Sequence, residues 1–552
     1  MATLLVAFFA QALLAVRDKS PTFDEPAHIG AGLSYLKTGE FKVNLQHPPL
    51  LKEIAALPLL ALGVEWPIDD SQWADVTTPP RPYFQWYLGQ EVIFRNDPGR
   101  VLFWSRLPFV MMGTLLGWAL YRWGRSLLGG GAAVAALFLY ALDPNLVAHA
   151  ALVTTDLGFG LFALLFLFAL WRYLSHRTAG RLLLCGLALG AALSAKFTAL
   201  ILLPIAAVLM VWAMRWIPAA VPSRGPTVVD PYLPGKWDQR LVWILYALAA
   251  LAAVAALVVE ASYLFSGNPF LYLRGLELVN ADHRAGYEAY LAGRFGARFW
   301  TYYLVAYLLK EPIATLLLVL FGLTVLLRRS GAAEMNRAFL LLPPAVLVLV
   351  YSLFSHNLGL RYILPAMPFL HLAGGLGLAT LFSGARAGRR ATALVLCAWL
   401  VLAAAGIYPD HLSYFNEGAC LLTEPSRVGL DGGSACGPLW LDDSNVDWGQ
   451  GLNQLKGWLD DNAAGRYLRL GYFGSSRPRY YGLVHERISV DDLTRPPVPG
   501  LHALSAHFVA RGIGALRLQH GEGPGNWLLH RRPDAVVGHA YYIYDIPPAP
   551  RW

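Results

Sequence analysis

The sequence predicts an all-α polytopic membrane protein that ends in a water-exposed α/β domain. Three observations carry this. Of 552 residues, 56% are hydrophobic and only 14% are charged, where soluble globular proteins carry about 25% charged residues. The apolar residues fall in repeated long runs, and in lipid such runs satisfy their backbone groups only as helices. Past Tyr408 the runs shorten and are punctuated by Gly, Pro, Asn and Asp, the pattern of strands alternating with helices in water. A soluble enzyme and a disordered chain are both excluded.

Eleven candidate spans follow in order, at 2–16, 101–121, 131–148, 157–174, 182–195, 197–214, 241–263, 312–327, 338–355, 362–382 and 391–407. The first is short for a spanning helix, which needs about 17–25 residues. Either Arg17 and Lys19 serve as its snorkelling ends, or the helix begins upstream. No basic residue precedes it and no small-residue cleavage site follows, so it does not read as a secretory signal.

The connectors set the orientation. One alternating set carries fifteen basic residues, among them Arg122, Arg125, Arg177, Arg181, Arg328 and Arg389, against three acidic ones, Asp230, Asp238 and Glu334. Short cytoplasmic connectors are rich in Lys and Arg, which puts this set and the N-terminus inside. The set's surplus exceeds the net charge of +8 for the whole chain. The basic balance is therefore a topology signal, and a nucleic-acid partner has no support. Residues 1–407 then form the transmembrane domain, with a first extracytoplasmic loop at 17–100, and 408–552 form the extracytoplasmic α/β domain of a protein of the plasma (inner) membrane.

In that outside segment Cys420 and Cys436 stand 16 residues apart. A disulfide between them suits an oxidising compartment and is worth about 3 kcal/mol on loop-entropy grounds.

Candidate chemistry gathers at the outer edge of the spans. Ser20-Pro21-Thr22-Phe23-Asp24-Glu25-Pro26 opens a helix, with acceptors suited to capping and a proline suited to the first turn. Ile29, Leu33 and Leu36 recur at helical spacing, which predicts a helix lying on the bilayer surface with that face down. His47-Pro48-Pro49-Leu50 starts a second short helix. Asp156 stands at the rim of the fourth span, where a carboxylate is either a cap or a functional group. Lys196, between the fifth and sixth spans in apolar surroundings, wants an anion or snorkels to the headgroups.

An Asp-Glu pair after the first span, a His-Pro-Pro-Leu helix and an Asp opening the fourth span together resemble the GT-C glycosyltransferases. The resemblance is to the protein O-mannosyltransferase family (glycosyltransferase family 39) and the lipid A aminoarabinose transferase group. Three further runs are similar to bacterial phospholipid-carrier-dependent glycosyltransferases: Phe299-Trp300-Thr301-Tyr302-Tyr303 leading to Leu309-Lys310-Glu311-Pro312, Leu360-Arg361-Tyr362-Ile363-Leu364-Pro365, and Asp443-Ser444-Asn445-Val446-Asp447-Trp448-Gly449-Gln450. Glu311 departs from the pattern, which has a small polar residue there.

The resemblance implies transfer of a sugar from a polyprenyl-phosphate donor to a hydroxyl of a protein, lipid or glycan at the extracytoplasmic face. It implies Asp24 as the general base, supported by Glu25. Asp156 would orient Asp24 or share a divalent cation with it, and the two carboxylates leave that choice open. His47, Lys196, Arg284, Lys310 and Arg361 are the candidates for the leaving phosphate. Asp447 and Trp448 would meet a sugar, or the run from Asp443 simply turns the chain before a helix. A transporter or flippase of a lipid-linked sugar is the alternative. It fits the rim charges but not the absence of half-to-half symmetry.

Overall fold

A computed structural model describes residues 1–17, 19–78, 81, 83–214, 237–282, 287–328 and 334–548. Helices occupy all eleven expected spans, but they are not eleven equal rods. Pro98–Leu128, Thr155–Ser175, Arg240–Ser262, Glu334–Phe354, Leu360–Ser383 and Ala387–Ile407 are each long and apolar enough to cross a membrane. Two others are broken: Gly130–Ala141 meets Pro144–Ala150 at 67°, and Tyr302–Lys310 meets Ile313–Arg328 at 115°. Ala2–Ala15, Ala179–Ala195 and Phe197–Ala213 are shorter apolar helices. The chain is a multi-pass membrane protein.

Both breaks have a local cause. Asp143 and Glu311 each precede a proline, and each is extended, at φ −78°, ψ 114° and φ −85°, ψ 140°. A residue before proline is driven out of the helical region, and proline offers no N–H to continue the ladder. Carbonyls freed inside an apolar bundle need new donors. Asn416 Nδ2 donates to Leu308 O (2.7 Å) and Glu311 O (2.6 Å), and Asn145 Nδ2 donates to Lys310 O (2.8 Å).

The first loop overturns one expectation. The Glu25–Thr38 helix does not lie with one face on the bilayer; every residue from Glu25 to Tyr35 is buried. It is wedged between the Leu50–Ala61 and Phe84–Phe94 helices. Small residues allow this approach. A Cβ on Gly30 would come within 2.7 Å of the Gly89 backbone, and one on Gly32 within 1.9 Å of the Lys52 carbonyl oxygen. Amphipathic spacing marked one apolar face; the glycines of Gly30-Ala31-Gly32 mark the other.

A five-stranded sheet lies in the C-terminal segment. Its strand order is His485–Arg487, Leu468–Gly471, Gly500–Ser505, Tyr541–Ile546 and Ala535–Val537; the first two pairings are parallel, the last two antiparallel. Alternation gives it two covered faces. Leu468, Leu470, Leu501, Ala503 and Ile543 pack with Leu455 of the Leu452–Asn462 helix. Leu504, Tyr542 and Tyr544 pack with Val509 and Ile513 of Ala506–His520. Cys420 and Cys436 are joined by a disulfide.

Candidate active site

The approach to Asp24 is pinned by the C-terminal segment. Ser20 N donates to Gln450 O (3.0 Å) and Phe23 N to Trp448 O (2.8 Å). The helix then starts at Glu25 with proline in its first turn. Asp24 holds the N-cap position but makes no capping bond. Its partly exposed carboxylate instead accepts a hydrogen bond from Arg361 Nη1 at 3.1 Å. Burial raises the Asp24 carboxyl above its ordinary value, with Arg361 pulling the other way.

Asp156 sits in the first turn of Thr155–Ser175, where Thr154 makes no side-chain cap either. Asp156 is paired to Lys196 and lies 3.8 Å from Arg361 Nη1. Lys196 is extended between two helices, and its ammonium rests 4.4 Å from the Tyr362 ring centre. Arg361 follows Gly359, at φ 107°, whose Cβ would strike Ser444 Oγ at 2.2 Å. Arg361 Nε donates to Leu358 O (3.1 Å), and its guanidinium lies 4.2 Å from the Trp448 ring centre. Four residues far apart in sequence thus form one chain of charge, Asp24–Arg361–Asp156–Lys196, with two charges of each sign.

Glu25, expected beside Asp24 in the catalytic group, is not placed to meet a substrate. Both its oxygens are occupied by Arg106, with Nε donating to Oε1 at 2.8 Å and Nη2 to Oε2 at 2.7 Å. Oε2 also accepts from Thr22 N (2.8 Å) and Oε1 from Val153 N (3.0 Å). Burial acts to raise its pKa, but Arg106 and these donors hold it below the ordinary carboxylate range. Arg106 uses its remaining donors on the carbonyls of Val16, Lys19 and Ser20. Sequence reasoning missed Arg106, although an arginine inside the apolar run Phe103-Trp104-Ser105-Arg106-Leu107 is itself a signal.

Three phosphate candidates fare differently. His47 packs edge-on to His28 at 5.1 Å. Its pKa is held well below the ordinary value, by burial first and then by His28 and Lys52, which disfavours the charged form. Lys310 is corrected: its buried ammonium donates to the carbonyls of Leu412 (2.9 Å), Tyr414 (2.9 Å) and Asn445 (2.6 Å). It ties the C-terminal segment to the broken span and has no donor left for a lipid phosphate. Arg284 lies outside the described residues.

The run from Asp443 to Gln450 scaffolds the site. Asn445 Oδ1 accepts from Leu360 N (2.9 Å), and Ser444 Oγ donates to Leu358 O (2.9 Å), which fixes the turn before Arg361. Asp447 Oδ1 accepts from Gly449 N (2.9 Å), and Trp448 supplies both the surface under Arg361 and the carbonyl that holds Phe23. Asp443 accepts from Tyr287 Oη (2.8 Å). Burial raises its pKa, while Arg361 opposes this.

Asp24 and Asp156, the expected cation ligands, each face a cationic side chain. Among the described residues, the group with donor atoms close enough to hold a metal ion is a different one, Asp143, Glu311 and His371.

Residues 82–229 match the family of dolichyl-phosphate-mannose-protein mannosyltransferases, in agreement with the resemblance carried by the motifs. This stretch holds Arg106, Asp156 and Lys196. No curated protein matches the chain by sequence. Among solved structures, the chain is similar to ArnT from Cupriavidus metallidurans in the apo state, at 13% identity and TM-score 0.48, over 98% of this chain and 97% of that one. With ArnT bound to undecaprenyl phosphate the figures are 13%, 0.47, 91% and 92%. With the oligosaccharyltransferase AglB from Archaeoglobus fulgidus, in complex with an inhibitory peptide and a dolichol-phosphate, they are 12%, 0.45, 93% and 72%.

Proposed function

We propose that the chain transfers a sugar from a polyprenyl-phosphate donor to a hydroxyl acceptor, with inversion. The observation that carries this reading is the Asp24–Arg361–Asp156–Lys196 chain, which sets a carboxylate base against two cations at the ends of apolar helices. The partial match to a mannosyltransferase family that takes a lipid-phosphate sugar supports it.

In this mechanism Asp24 takes the acceptor hydroxyl's proton as the oxygen attacks the anomeric carbon. The bond between that carbon and the phosphate oxygen breaks, and its electron pair leaves with the polyprenyl phosphate. Arg361 and Lys196 meet the charge that develops there, in a site where preorganised cations cost no reorganisation. Donor phosphate competes with Asp24 for Arg361, so donor binding itself frees the base. Asp156 keeps both cations in place. The charge asymmetry of the connectors supports a cytoplasmic N-terminus, and the Cys420–Cys436 disulfide supports an oxidising, extracytoplasmic location for 408–552. In this reading 1–407 carry the chemistry and 408–552 brace it.

The test is release of polyprenyl phosphate by the purified protein given a polyprenyl-phosphate sugar and a panel of hydroxyl acceptors. Asp24→Asn should lower kcat by roughly 10²–10⁴-fold, the usual worth of a general base, with unchanged expression and melting. Full activity in this variant rejects the base assignment. Movement of the lipid-linked sugar across vesicles without transfer would establish the transporter instead.

A further inference from the structure

We propose that Asp143, Glu311 and His371 form a divalent-cation site that locks the two broken spans to the Met367–Ser383 helix. The inference is independent of the glycosyltransfer reading, because none of the three residues belongs to the Asp24 chain.

Each ligand comes from a different element. Asp143 is the extended residue at the first break, Glu311 the extended residue at the second, and His371 lies within a long helix. All three are buried, and their donor atoms lie within 4.8 Å of one another. Two donors on one ion at about 2.0–2.2 Å stand roughly 3.0–3.5 Å apart at tetrahedral or octahedral angles. His371 Nε2 and Asp143 Oδ2 are already 3.1 Å apart.

Glu311 supplies the second, separate observation. It is 0% exposed, and no N–H or hydroxyl of a described residue donates to either carboxylate oxygen; the polar side chain that faces it is another carboxylate, Asp143. A buried carboxylate is costly unless it takes up a proton or a positive charge or a metal meets it. Its chain neighbour Lys310 spends its donors on three carbonyls elsewhere. Asp143 Oδ1, by contrast, is fixed by Asn145 N (2.8 Å) and Leu146 N (3.3 Å), which leaves Oδ2 pointing at His371. Two carboxylate oxygens and one imidazole nitrogen suit Zn²⁺ or Mn²⁺ better than Ca²⁺ or Mg²⁺, which prefer all-oxygen shells. Such an ion supplies what a proline break removes, a fixed angle between half-helices that share no continuous backbone ladder.

The experiment uses the full-length protein in detergent micelles, stripped with a chelator and reloaded with zinc alone or manganese alone. Elemental analysis after desalting should find one equivalent of one of these ions per chain, and reloading should raise the melting temperature by several degrees. Glu311→Gln and His371→Asn should each cut bound metal to below about a tenth of an equivalent and abolish the shift. The proposal is overturned if the parent retains neither ion, if its melting ignores chelator, or if Glu311→Gln melts at or above the parent. That last result is the signature of a proton shared between Asp143 and Glu311. Where a variant fails to fold, the parent's metal content and chelator response decide the question alone.

Discussion

Removing the Arg106 guanidinium tests how the loop that carries Asp24 is held. Arg106 is 1% exposed and Glu25 0% exposed, so Arg106→Met leaves a carboxylate in the interior with only backbone and hydroxyl donors. Breaking one side of a buried pair costs about 3–5 kcal/mol, mostly the penalty of the charge left behind. Arg106 also satisfies the carbonyls of Val16, Lys19 and Ser20, which places the expected loss at the upper end of that range. Glu25→Gln should cost a similar amount, because the stranded charge is then the guanidinium. The double variant removes both charges and should fall short of the sum by at least about 1 kcal/mol, the coupling expected of residues in direct contact. The assay is a reversible SDS titration of unfolding in mixed micelles, run on the four proteins of the cycle. Activity should fall further than stability does, since Asp24 is the next residue and a shift of about 1 Å in a reacting group costs on the order of 100-fold. Strict additivity, or single variants within about 0.5 kcal/mol of the parent, would refute the view that this pair anchors the loop.

Other expectations follow from the same contacts. His539 lies between Asp410 and Asp431, and although burial opposes it, these hydrogen bonds raise its pKa to about 9. Its stabilising charge is fully present below the unfolded histidine value of about 6.5 and is lost as pH rises through about 9. Unfolding titrations from pH 6 to 10 should therefore show a decline that His539→Gln flattens. Because burial raises the Asp24 carboxyl, the acid limb of kcat/KM should lie above the ordinary carboxylate range, and a limb near the free aspartate value of about 3.9 would contradict the assignment. Lys310→Met should reduce folded protein and melting temperature while the donor KM of the folded fraction stays unchanged; a raised KM alone would return Lys310 to the donor site. Replacing both Cys420 and Cys436 by serine should destabilise the chain by about 3 kcal/mol in the same titration, from the closed loop alone, and no change would show that the segment is braced without it.

Much of the architecture was legible because membrane helices obey a one-dimensional rule. Length and apolarity located all eleven helical segments, although the prolines at 144 and 312 were not read as breaks, the first bending one span and the second setting another at a sharp angle to the Tyr302–Lys310 helix before it. Asp156 and Lys196 were legible for a related reason, while Asp24 and Arg361 were singled out by the resemblance of their runs to a known family. Ionisable residues at the ends of apolar runs are too costly to be left there idly. The same logic, applied inside a run, would have found Arg106. Lys310 misled because a lysine at a helix end looks alike from sequence whether it faces a phosphate or three backbone carbonyls.

By itself, the sequence determined the number and order of apolar helices, the asymmetry of charge between connectors and the identity of the groups set at their edges. These are properties of segments, decided by whether each stretch can leave water. Tertiary structure decided the partners: Arg361 to Asp24, Arg106 to Glu25, Lys310 to the C-terminal carbonyls, and Asp143 beside Glu311 and His371. A buried charge takes whatever counterpart the packing brings within about 3–4 Å, and Coulomb energy at that range depends on the fold's distances and dielectric, neither of which is written in residue order.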